Sequence, residues 1–103
     1  MYDFREQARL TLQRAADTAG IDTGVLELLS GPMRVLAFRI PLRMDDGRYR
    51  TFDAYRVRYN DALGPSRDGT RISPDLDLAE CEALALLMTI KHAAGEIPAG
   101  GGK

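Results

Sequence analysis

Residues 33–60 read MRVLAFRIPLRMDDGRYRTFDAYRVRYN. Leu36, Phe38, Ile40, Leu42 and Met44 alternate with Ala37, Arg39, Pro41 and Arg43, the period of two expected of a half-buried strand. Pro41 has no N–H to give to a ladder, so an edge position is expected. Asp45-Asp46-Gly47 is a hairpin turn, with Gly47 free to take a positive φ. Arg48 to Tyr59 returns as a second strand rich in β-branched and aromatic residues, namely Tyr49, Thr51, Phe52, Tyr55, Val57 and Tyr59. A long antiparallel hairpin is thus the centre of the fold.

On both sides of the hairpin the period turns helical. Asp3-Phe4-Arg5-Glu6 has the form of a capping box. Phe4, Ala8, Leu12 and Ala15–Ala16 follow at helical spacing, and Gly20 stands where the helix should end. A short helix is expected from Thr23 or Gly24 to Leu29, with Leu26 and Leu29 inward and Gly31-Pro32 as its stop. Asn60 to Pro74 reads as a loop around a short extended piece, Thr70-Arg71-Ile72. Asp77-Leu78-Ala79-Glu80 is a second capping box and opens the longest helix, which runs to about Ala94 and is closed by Gly95. The expected fold class is α/β: a mixed β-sheet with a long antiparallel hairpin, flanked by N-terminal helices and one long C-terminal helix.

The bulk composition narrows the function classes. A chain of 103 residues with 45% hydrophobic and 28% charged residues is expected to form one soluble globular domain, 1–103. Its formal net charge of −1 hides a basic middle: residues 33–72 carry nine Arg against five acids, between two acidic flanks. Those arginines are interleaved with Asp53, Asp61 and Asp68, so a nucleic-acid partner is not expected. No apolar run approaches the ~18 residues of a membrane span, and no signal-peptide pattern opens the chain. We expect a cytoplasmic protein with no membrane partner. Cys81 is the only cysteine and His92 the only histidine, which leaves no disulfide and no metal-ligand set. On one helix these two lie three turns, roughly 16 Å, apart, so that helix alone does not make them a catalytic pair.

Of the fourteen basic residues, only Lys91 and Lys103 are lysines. Lysine differs from arginine in that burial can bring its pKa down towards neutrality, allowing it to act as an acid or base. Leu84, Leu87, Met88 and Lys91 fall at i, i+3, i+4 and i+7, which sets Lys91 on the apolar stripe of the long helix. Such a lysine either snorkels to the surface or is held for a purpose. Gly100-Gly101-Gly102-Lys103 reads either as a linker or as backbone that lets a ligand come close. It is not a phosphate-binding P-loop, because Ile97 stands where that motif needs its first Gly. With nothing after Lys103 to bury it, the lysine is expected to be unordered.

Five ordered motifs carry a more specific reading. They are Asp45-Asp46-Gly47; Tyr55-Arg56-Val57-Arg58-Tyr59-Asn60; Leu63-Gly64-Pro65-Ser66-Arg67-Asp68-Gly69-Thr70-Arg71; Met88-Thr89-Ile90-Lys91-His92-Ala93; and Ile97-Pro98-Ala99-Gly100-Gly101-Gly102-Lys103. In this order and at these intervals the series resembles the N-terminal dimerisation and substrate-binding domain of the glutamate/leucine/phenylalanine/valine dehydrogenases, over roughly residues 22–103.

The resemblance implies roles. Lys103 matches the catalytic lysine that assists proton transfer and water attack at the substrate Cα. Lys91 matches the lysine that pairs with the substrate α-carboxylate. Arg67 matches the residue that meets the substrate side chain, where glutamate-specific members have a lysine, and Gly69 belongs to the same substrate-binding segment. Asp68 stands where the family usually has Gly, and its charge would repel an acidic substrate. Ser73 stands where many members have His.

The resemblance also implies a homo-oligomer, dimeric through the sheet edge and N-terminal helices, and NAD or NADP as the cofactor of the complete family enzyme. No Gly-x-Gly-x-x-Gly follows a strand in these residues, so no cofactor is expected in this chain, and residues 1–103, read as a truncated relative, are expected to be inactive alone. The alternative is a stand-alone, non-catalytic interaction module derived from the same family.

Overall fold

The structure, a computed structural model, describes residues 3–103. Helix α1 spans Phe4–Ala19 and α2 Thr23–Leu28; strand β1 spans Arg34–Arg43, β2 Tyr49–Asn60 and β3 Ser66–Arg67; helix α3 spans Leu78–Ala94 and strand β4 Gly100–Gly102. Among the described residues the strands form one sheet in the order β1-β2-β4-β3. The β1–β2 and β2–β4 pairs are antiparallel and the β3–β4 pair is parallel, so the sheet is mixed and the fold α/β, as the sequence implied.

The local signals act as read. Asp3 Oδ1 accepts from the amides of Arg5 (3.0 Å) and Glu6 (3.3 Å), and Gly20 closes α1 in the left-handed region at φ 68°. Asp77 Oδ1 accepts from Glu80 N at 2.8 Å to open α3. Gly47 takes φ 84° in the hairpin turn. Pro41 lies in β1, the edge strand, where its missing donor leaves no gap in the ladder.

Four expectations are corrected. The Leu36, Phe38, Ile40, Leu42 and Met44 set is not the inward face. Every residue of β1 is exposed. The register pairs Val35 with Val57 and Ala37 with Tyr55, while Leu36, Phe38 and Ile40 face Arg56, Ala54 and Phe52. Val57 and Tyr59 sit in the core with Ala8, Cys81, Ala83, Ala85 and Leu86, so the helices cover the Val57 side and the apolar alternation looks away from them. Second, Leu26 and Leu29 are only half-buried, and no residue of α2 is buried. That helix is tethered by Tyr59, whose hydroxyl donates to Leu29 O at 2.7 Å. Third, the strand in the 60–74 loop is Ser66–Arg67, not Thr70–Ile72.

The fourth correction is the largest. Gly100–Gly102 is neither a linker nor a loop but a fully buried strand between β2 and β3. Lys103 continues it: its N–H donates to Val57 O at 2.9 Å and its carbonyl accepts from Val57 N at 2.8 Å. Lys103 is therefore ordered. A bulge between Arg58 and Asn60 of β2 shifts the register against β4.

The glycines permit this insertion. A Cβ on Gly101 would overlap the backbone N, Cα and Oγ1 of Thr89 on α3, so helix and strand touch backbone to backbone. This also sets the buried face of α3, which is Cys81, Ala85, Thr89 and His92 with Ala83 and Leu86. Small side chains face the glycines, while Leu84 and Met88 are half-buried and Leu87 is exposed. We predict that Gly101→Ala destabilises the fold by about 3 kcal/mol through overpacking. Gly31→Ala, whose Cβ meets nothing within 4 Å, should change stability by less than about 0.5 kcal/mol. Urea denaturation of both variants checks this.

Candidate functional site

The last turn of α3 carries Lys91 and His92, where positive charge is favoured by the helix dipole. One turn beyond Thr89, His92 reaches β4: its Nδ1 lies 2.7 Å from Gly100 O. A carbonyl only accepts, so Nδ1 carries the proton. His92 is buried, with 5% of its surface exposed, and its Nε2 faces Asp68 Oδ2 at 3.9 Å. Lys91 Nζ lies 3.7 Å from the same oxygen. The lysine thus departs from its expected place on a buried stripe: its side chain is 62% exposed, because α3 turns its small-residue face to the glycines and the Leu87–Lys91 flank outward.

Asp68 is brought there by the β3 segment. Ser66 and Arg67 pair in parallel with Gly100 and Gly101. Across the outer side of the glycine strand, Arg56 donates to the carbonyls of Ser66 (3.3 Å) and Asp68 (3.4 Å). A Cβ on Gly102 would crowd that guanidinium at 3.3 Å and Ser66 Oγ at 3.2 Å. Asp68 Oδ1 accepts the Gly69 N–H at 2.6 Å. That hydrogen bond, above all, holds the Asp68 carboxyl below the usual carboxylate range; Lys91, Lys103 and His92 push the same way, against a desolvation cost. Two helix residues, Lys91 and His92, therefore lie beside one carboxylate oxygen.

Of the residues singled out in the sequence, Lys91 lies beside Asp68, whereas Lys103 is fixed by its backbone to Val57 and acts on Asp68 only at longer range. Gly69 supplies the amide that fixes it. Arg67 is exposed beside Gly101, with no ion pair to an acid among the described residues. His92 and Arg56 were missed as contributors. The adjacency of His92 to Lys91 was the available signal for the first, but Arg56 gave none, since its partners are backbone carbonyls reached across another strand. Burial pushes the Cys81 thiol up, and its Sγ contacts Lys103 O at 3.6 Å, so Cys81 is a packed thiol and not a thiolate nucleophile.

Residues 32–103 match the family model of the Glu/Leu/Phe/Val dehydrogenase dimerisation domain. The chain belongs to this family. It is 45% identical over 92 residues to an NAD-specific glutamate dehydrogenase of Staphylococcus aureus, covering 89% of this chain and 22% of that protein. The chain therefore spans about a fifth of the length of the curated relatives it matches. Among solved structures, a glutamate dehydrogenase of Peptoniphilus asaccharolyticus superposes with a TM-score of 0.93 at 38% identity, over 99% of this chain and 26% of that one. The leucine-bound, hetero-hexameric glutamate dehydrogenase of Thermus thermophilus gives 0.88 at 36% identity, over 99% and 25%. The dehydrogenase fold thus extends over α1 and α2 as well as the residues of the family model.

The Asp68 carboxyl should titrate below the ordinary range of about 3.9. A depressed folded value contributes stability that is present at neutral pH and is lost as the pH falls through the folded midpoint. We predict that the Asp68 side-chain carbon resonance gives such a midpoint, and that it rises in Lys91→Met without reaching the ordinary value, because the Gly69 hydrogen bond remains.

Proposed function

We propose that these residues form the substrate-side and subunit-pairing portion of an NAD- or NADP-dependent amino-acid dehydrogenase of glutamate-like specificity, which carries out oxidative deamination in the cytoplasm. The observation that carries this reading is the placement of Lys91, on the last turn of α3, 3.7 Å from a carboxylate, with the backbone of Lys103 held in register directly after β4. An ammonium on a helix end and a second one on a buried strand suit a bound amino acid. Lys91 meets the α-carboxylate, and Lys103 stands over the Cα, where it takes up or returns a proton. Arg67 reaches the substrate side chain, and the Gly69 segment forms the adjoining wall. On this reading the nicotinamide of the complete enzyme binds outside these residues. Their glycine-rich run is itself a strand packed against backbone on α3 and β2, not a strand-to-helix turn of the kind that cradles a pyrophosphate. Residues 1–103 by themselves should not oxidise glutamate with NAD or NADP.

Subunit pairing uses the uncovered side of the hairpin. Leu36, Phe38, Ile40, Leu42 and Phe52 are exposed and share one face, and β1 offers its free edge. A contiguous apolar face on an unpaired edge strand favours a protein partner, and the N-terminal helices flank the same assembly. A second reading, a non-catalytic interaction module of the same descent, is favoured by Asp68, whose negative charge sits at the cation meant for substrate.

Light scattering at micromolar concentration should give a homo-oligomer, and Ile40→Asp should yield monomers; a wild-type chain that stays monomeric sinks the pairing. L-Glutamate should bind in the millimolar range in an NMR titration and be lost in Lys91→Ala. Retained binding in that variant removes Lys91 from the substrate site. Capture of a full-length dehydrogenase without amino-acid binding favours the module.

A further inference from the structure

We infer that Asp68 is a resident anion: its carboxylate occupies Lys91, beside His92, in the free protein, and a substrate carboxylate enters by displacing it. This rests on the reading of Lys91 as the substrate's cation and adds a specificity-determining residue to it. The geometry has two parts. One Asp68 oxygen is committed to the Gly69 amide at 2.6 Å, and the other is shared between Lys91 Nζ at 3.7 Å and His92 Nε2 at 3.9 Å. The segment bearing Asp68 is fixed independently, by β3–β4 pairing and by Arg56 on the Ser66 and Asp68 carbonyls. The ion pair is therefore not needed to hold the loop.

Its consequence falls on ligands. Lys91 is 62% exposed and Asp68 32%, so the pair is loose and exchangeable. Exposed pairs of this kind favour contact by about twofold to fivefold. A ligand that binds only the unpaired form sees its affinity reduced by the fraction of lysine that is free. A carboxylate that enters while Asp68 remains nearby also meets a like charge. Both effects raise the concentration of an acidic amino acid needed to fill the site.

The test is an NMR titration of residues 1–103 with L-glutamate in the wild-type chain, Asp68→Asn, Asp68→Gly and Lys91→Met. Asn retains an oxygen for the Gly69 amide and so keeps the loop, while Gly deletes the side chain. Binding about three- to tenfold tighter in both Asp68 variants, and lost in Lys91→Met, is the expected result. Equal or weaker binding in Asp68→Asn, still lost in Lys91→Met, overturns the resident anion and leaves the substrate reading standing. No binding by any form overturns both. If the Asp68 carboxyl midpoint does not move in ligand-free Lys91→Met, the pairing is absent and the inference falls without a ligand.

Discussion

The close approach of Gly101 to Thr89 is the contact on which the remaining geometry depends. A strand and a helix that touch backbone to backbone leave no room for a side chain between them, and Gly101 has none to place there. Thr89 satisfies its own hydroxyl within the helix by donating to Ala85 O at 3.0 Å, so the contact strands no polar group. Because α3 lies this close, β4 slots between β2 and β3 and carries Lys103 to a fixed register with Val57. One turn further along α3, His92 reaches the Gly100 carbonyl and Lys91 turns outward beside it. The positions of both lysines are thus consequences of one steric fit.

The same absence of side chains serves the opposite face. Arg56 crosses the glycine strand to the carbonyls of Ser66 and Asp68, a path that a Cβ on Gly102 would crowd. Glycine in a strand interior loses entropy on folding and adds no packing. Here the loss is offset on two sides at once, by backbone packing on α3 and by an arginine brace on the other. The brace presents Asp68 to Lys91 and His92 at the end of α3.

The two faces of the hairpin differ in what covers them. Its Val57 and Tyr59 side, near the end of β2, joins the helices in a small core. Further out, β2 and all of β1 project beyond the helices, and the Leu36, Phe38, Ile40 and Phe52 side is left to solvent. Among the described residues, the helices cover only one face of this hairpin of 10- and 12-residue strands.

Much of the fold is legible in the sequence because its signals are local. The caps at Asp3 and Asp77, the stop at Gly20, the turn at Gly47 and the edge position implied by Pro41 each depend on a few neighbouring residues, and each stands as read. The two lysines stood out by their rarity and by the motifs around them, but their placement did not: Lys103 is held in register with Val57 and Lys91 turns outward. Three things were decided only by the tertiary structure. Alternation in β1 announces a strand and one apolar face but not what covers that face, since burial depends on elements distant in the chain. The periodicity of α3 pointed to its leucines, yet the buried side is the small-residue side, because a glycine strand from beyond the helix chooses its partner by size. The pairing of Asp68 with Lys91 joins residues 23 positions apart, through a parallel strand pair that no local pattern encodes. Sequence determined the elements and the chemistry they carry; long-range packing determined which groups meet.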